Sequence, residues 1–178
     1  MPAARYVMLA PVSAEPQDSR PDRGEHYAAA VYGSIVAAAL IEAFRAEHVK
    51  AEQIALAVLT TMTVFWLAHV WSGIVGDRIH HGRQLQVIRL VRIGRAEWPL
   101  VQASFLPVVV LALGWAGVFS DASASRLALG VCIAQLFAYG MIVGRRAYHR
   151  WPQAIAAGLL NAALGLVLIE LEVLVLHH

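Results

Sequence analysis

Five apolar runs constrain this chain more than any other feature. They are about Tyr27–Phe44 (YAAAVYGSIVAAALIEAF), Ile54–Gly76, Leu100–Phe119, Leu127–Gly144 and Gln153–Leu176. At about 1.5 Å per residue each can cross a hydrocarbon core of roughly 30 Å, the first and fourth at the short limit. An open sheet cannot satisfy its backbone in lipid, so the expected fold is all-α: a polytopic transmembrane helix bundle of about five spans. The composition agrees, with 59% of residues hydrophobic and only 15% charged. A soluble domain is nearer half apolar and about a quarter charged.

Residues 1–25 carry Pro2, Pro11, Pro16 and Pro21 among mixed charges and read as a disordered tail. Tyr6–Ala10 is the only apolar stretch there. It is shorter than a signal-peptide core of about 7–15 residues, so the first span itself is expected to act as the membrane signal. Residues 26–178 form the transmembrane domain, with 77–99 as an Arg-rich linker. Pro99 stands at the mouth of the third span, Pro107 inside it, and Pro152 suits a first turn. Ser120–Ser125 (SDASAS) reads as a short turn between the third and fourth spans.

Orientation follows from the basic residues of the connections. Arg5, Arg20 and Arg23 lie in the tail. Arg78, Arg83, Arg89, Arg92 and Arg95 lie between the second and third spans, and Arg145, Arg146 and Arg150 between the fourth and fifth. Five spans put these segments on one side, against Arg45, Lys50 and Arg126 on the other. The expected placement is multi-pass in a bacterial plasma membrane, with a cytoplasmic N-terminus.

VIRLVRIGR (Val87–Arg95) has an arginine at every third position. It resembles the arginine helix of voltage sensors over about nine residues. A spanning role would invert every later helix and break the charge bias. At 100° per residue the arginines are expected to spread around most of a helix. The stretch is therefore expected as a cationic linker on anionic headgroups, where each basic residue is worth about 1 kcal/mol.

FWLAHVWSGIVGDRIHH (Phe65–His81) raises the question of a metal site. On one helix Asp77 is about 12 Å from His69 along the axis, and His80 about 16 Å. A zinc ion needs its ligands within about 2.0–2.3 Å, so no compact metal motif is present and no metal is expected. His69 remains as a lone histidine inside a span. Polar residues in a membrane usually face the bundle interior. By depth, His69, Gln135 and Asn161 share one layer with Tyr32 and Tyr139, about 10–13 Å from the arginine-rich side. Glu42 and Glu170 fall in a second layer, about 20–25 Å from that side. Such layers suit a proton or cation path, since His titrates near neutral pH. The same residues also serve as interhelical glue, worth about 0.6 kcal/mol each, and Glu42 can simply sit beside Arg45.

Small residues form ladders at Ala29–Gly33–Ala37, Gly130–Ala134–Ala138 and Gly140–Gly144. They permit close helix approach or a homo-oligomer. The single cysteine, Cys132, allows no internal disulfide. No Gly-rich phosphate loop, HExxH or G-x-S-x-G occurs, and no second deep histidine offers bis-His haem ligation. Neither enzyme activity nor a cofactor is expected, and a net charge of +2 gives no reason for nucleic acid. Five short spans, an Arg-rich linker after the second, and a GLLNAALGLVLIELEVLVLHH ending resemble small polytopic membrane proteins of high-GC bacteria. One Lys among fourteen basic residues agrees. The resemblance implies no activity. Two functional expectations stand: a small channel or proton/cation-coupled carrier through Glu42, His69, Gln135, Asn161 and Glu170, or a non-transporting scaffold meeting lipid or a partner through Arg89, Arg92 and Arg95.

Overall fold

The computed structural model describes residues 23–81 and 87–176. The tail at 1–22, residues 82–86 and the last two histidines lie outside the described residues. Those described form six helices and no strand: α1 (Arg23–Ala46), α2 (Ala51–His81), α3 (Val87–Ala96), α4 (Trp98–Trp115), α5 (Asp121–Tyr148) and α6 (Trp151–Leu176). Five of them, all but α3, are long and apolar enough to cross a membrane. The protein is a multi-pass helical membrane protein.

α1 sits centrally, packed against α2, α4, α5 and α6, while α5 and α6 share the most extensive interface. Ile41, Ile54, Val58, Met62, Leu111 and Cys132 are fully buried in the core. Between these larger side chains the helices meet on small residues. A Cβ on Gly140 would stand 2.7 Å from Ala157 O and 2.7 Å from the Asn161 Cβ. A Cβ on Gly33 would run into the Leu100 carbonyl of α4. Two of the expected ladders thus close interfaces within the chain, through Gly33 and through Gly140–Gly144. Gly130 meets nothing, so the third ladder faces outward.

Several helix boundaries depart from the sequence expectation. α5 begins six residues before Leu127. Ser120 is its N-cap, with extended backbone and a hydroxyl that accepts the Ser123 N–H at 3.3 Å. SDASAS is therefore a helix start rather than a turn, and a cap fixes where a helix begins independently of where its apolar run begins. Asp121 in that first turn also accepts the Ala51 N–H of α2 at 3.3 Å, so it caps a second helix across the bundle. The third span, α4, ends at Trp115 rather than Phe119, because Gly117 at φ +80° turns the chain.

The largest departure is in the linker. α2 runs unbroken to His81, and Val87–Ala96 forms α3. Arginines three apart turn by 300° each, so the positions of Arg89, Arg92 and Arg95 span about 120° rather than most of the helix. The other side is apolar. α3 is an amphipathic helix, and it packs across the Trp66–Gly73 stretch of α2. Ile93 fits over Gly73, and the Trp66 indole Nε1–H donates to Gly94 O at 3.0 Å. Trp66 also meets the Trp98 ring edge-on at 5.9 Å, which ties α2 to the start of α4.

Candidate functional site

The structure separates the polar residues of the spans into three places. The first is α1–α2. His69 is half-buried, and its Nδ1–H donates to Phe65 O, one turn back on its own helix, at 2.9 Å. Its ring lies 6.0 Å from that of Tyr32. The imidazole is thus oriented by its own backbone.

The second place is the end of the bundle opposite the arginines. Glu42 is buried, at 9% exposure, and takes both arms of Arg45: Nε donates to Oε2 at 2.7 Å and Nη2 to Oε1. A bidentate guanidinium–carboxylate pair is the strong form of this interaction. Glu170, exposed on α6, lies close enough to act on Arg45 electrostatically. The group in contact with Glu42 is thus the Arg45 guanidinium and not a second carboxylate.

The third place is where α1, α5 and α6 meet. Asn161 of α6 donates through Nδ2 to Leu136 O of α5 at 2.6 Å. The adjacent Gln135 has a buried Oε1 without a partner. Asn161 and Tyr139 also wall a groove of about 400 Å³ whose surface is otherwise apolar. Across the α1–α5 contact from it, His26, Tyr27, Gln102 and Tyr139 line a more polar cleft of about 290 Å³. His26 Nε2 is buried there without a partner.

The expected inner layer is therefore divided: His69 and Tyr32 on one side of α1, Tyr139, Asn161 and Gln135 on the other. Sequence reasoning missed His26, Tyr27 and Gln102, which lie at the edges of the apolar runs. It also missed two cation–π contacts at the arginine-rich end. Arg145 lies 4.8 Å over the Trp151 ring, and Arg146 lies 4.9 Å over the Tyr27 ring. Only the spacing of Arg145 and Trp151 across a short turn hinted at either.

The remaining surface is α3. Arg92 and Arg95 are exposed, together with Ile88 and Val91 at 73% and 51%. These four recur at three- and four-residue spacing and form one stripe in which apolar groups and guanidinium groups alternate. The Arg89 side chain, like those of Asp77, His80 and His81, lies outside the described residues. Among the described residues no three His, Cys, Asp or Glu side chains gather closely enough to hold a metal ion. No family model matches this chain, and no curated protein or solved structure matches it.

Proposed function

We propose that the protein is a non-transporting membrane module whose working surface is α3, an interfacial helix that binds anionic lipid headgroups at the arginine-rich end of the bundle. The observation that carries this reading is the packing of α3. Ile93 and Gly94 are used against α2, while Arg92, Arg95, Ile88 and Val91 face outward. A helix with that outer stripe suits the boundary between headgroups and acyl chains, with apolar groups dipping in and basic groups at the phosphates. Two arginines at about 1 kcal/mol each give roughly 2 kcal/mol, or about thirtyfold in affinity. The Trp66–Trp98 pair beside α3 supports the same level, since Trp is enriched at membrane–water boundaries.

The polar residues of the spans support this reading more than a path. His69 is held by its own helix and Glu42 by Arg45. Fully buried apolar residues, among them Ile41, Val58, Met62 and Leu111, fill the core.

A spin label at position 88, introduced as Ile88→Cys in a Cys132→Ala background, tests the proposal in liposomes. In vesicles containing phosphatidylglycerol the label is expected to collide with dissolved oxygen rather than with a water-soluble nickel complex. Arg92→Gln with Arg95→Gln should shift it toward water. Equal accessibility with and without the anionic lipid, in both proteins, would sink the reading.

A further inference from the structure

The groove between α1, α5 and α6 has a shape and a charge that the α3 surface does not use. It is lined by Tyr27 and Val31 of α1, Tyr139 and Val143 of α5, and Leu160 and Leu164 of α6. Its volume of about 400 Å³ falls within the roughly 300–1,000 Å³ of small-ligand sites. On α6 it extends from Ala157 to Leu164, roughly 10 Å along the helix axis, so it runs along the spans rather than across them.

The groove has a basic end. Tyr139, Val143 and Arg146 follow at four- and three-residue spacing and share one face of α5, with Arg146 nearest the arginine-rich end. The guanidinium of Arg146 rests 4.9 Å over the Tyr27 ring, itself a wall of the groove. Arg145, 4.8 Å over the Trp151 ring, stands on the next position. Stacking on an aromatic face leaves the N–H donors of a guanidinium at its edge free for an anion.

An apolar slot parallel to the spans, with arginine at its interfacial end, matches one kind of molecule. We propose that it is a binding site for a single anionic phospholipid, with one acyl chain in the groove and the phosphate on Arg146. The phosphate takes charge-assisted hydrogen bonds from Arg146, and the chain covers apolar surface of Val31, Val143, Leu160 and Leu164. Asn161 reaches α5 through one N–H, and its second N–H remains to donate to an ester carbonyl oxygen. The site uses residues distinct from those of α3, so it stands or falls separately from the α3 reading.

The test is native mass spectrometry of the full chain, delipidated in a neutral detergent and then given phosphatidylglycerol or phosphatidylcholine of equal chain length. The wild type should retain one phosphatidylglycerol. Arg146→Gln should weaken that retention about tenfold, the loss of roughly one charge-assisted hydrogen bond. Ala28→Trp places an indole in the groove from an exposed position and should remove retention while Arg146 remains. Arg92→Gln with Arg95→Gln should leave it intact. Circular dichroism of each variant separates loss of the lipid from loss of the fold. If a variant unfolds, Leu160→Trp replaces Ala28→Trp, and Arg146→Lys, which keeps the charge, replaces Arg146→Gln and should weaken retention less than tenfold. Four results would overturn the proposal: equal retention of both lipids, unchanged retention in the groove variant, competition by inorganic phosphate alone, or retention lost only with the α3 arginines.

Discussion

Replacing Gly140 with alanine tests the packing that holds the largest interface together. The new methyl group would meet Ala157 O at 2.7 Å, the Asn161 Cβ at 2.7 Å and the Gly158 Cα at 3.0 Å. Two of these atoms are backbone, so no side-chain rotation relieves the contact. α5 and α6 must separate by roughly 1 Å to restore a van der Waals distance of about 3.5–4.0 Å. Overpacking of this kind costs about 1–3 kcal/mol. The separation also stretches the Asn161–Leu136 hydrogen bond one turn away, an interhelical bond worth about 0.6 kcal/mol. Gly130→Ala on the same helix is the control. Its methyl group meets nothing within 4 Å, and removing glycine from a helix interior gains up to about 1 kcal/mol. Unfolding in mixed micelles with increasing sodium dodecyl sulfate, followed by circular dichroism, reads both. The expected midpoints move in opposite directions, Gly140→Ala down and Gly130→Ala level or up. If Gly140→Ala is as stable as the control, the close α5–α6 approach is not a determinant of the fold and this account of the interface fails.

Glu42→Gln should destabilise by about 1–2 kcal/mol, less than the 3–5 of a fully buried broken pair because Arg45 is 39% exposed. Adding Arg45→Met should recover most of the loss, and strictly additive single effects would show that the pair is uncoupled. His149 occupies the left-handed region at φ 56° at the end of α5, so His149→Gly should stabilise by about 0.5–1 kcal/mol in the same micelle assay. A loss of stability there would mean that the His149 side chain has a role its backbone does not reveal. Proteoliposomes of the wild type under a pH or potassium gradient should show no flux above empty vesicles, and His69→Ala should unfold within about 1 kcal/mol of wild type. Wild-type flux abolished in a folded His69→Ala protein would restore the path through the spans and displace the α3 reading.

The spans were legible because their length and apolar content leave a membrane helix few alternatives. Their ends were less so. The start of α5 is set by the Ser120 hydroxyl on the Ser123 N–H, a signal carried by one polar side chain rather than by the hydropathy of a window. α3 was present in the sequence in full. Three arginines at three-residue spacing fall back by 60° each and cover one face, and only the summed angle separates an amphipathic helix from a scattered one. The Glu42–Arg45 pair, three apart on one helix, was readable locally. The stacking of Arg146 on Tyr27 depends on the register of α1 against α5, which no short-range pattern specifies.

The histidine at position 69 shows why a polar residue in a span is weak evidence for a pathway. Inside a helix every backbone N–H is already used, whereas each carbonyl oxygen keeps a second lone pair. A short side-chain donor can therefore find a partner one turn back, and several here do. Ser34 reaches Ala30 O, Thr63 reaches Leu59 O, Ser125 reaches Asp121 O, and His69 reaches Phe65 O. Asn161 does the same across an interface, on Leu136 O. A side-chain acceptor has no such recourse, because a helix interior has no spare N–H to give. Glu42 is buried with an arginine brought to it, and the Gln135 carbonyl oxygen is buried with nothing. In a membrane helix it is the acceptors that carry information, since each must be matched by a donor from elsewhere. By that argument Gln135, like His26 with its buried and unpartnered Nε2, has an incomplete environment, whereas His69 does not. Gln135→Leu should accordingly stabilise the bundle, while Gln135→Glu, which adds an acceptor and a charge, should destabilise it by more than any substitution at His69.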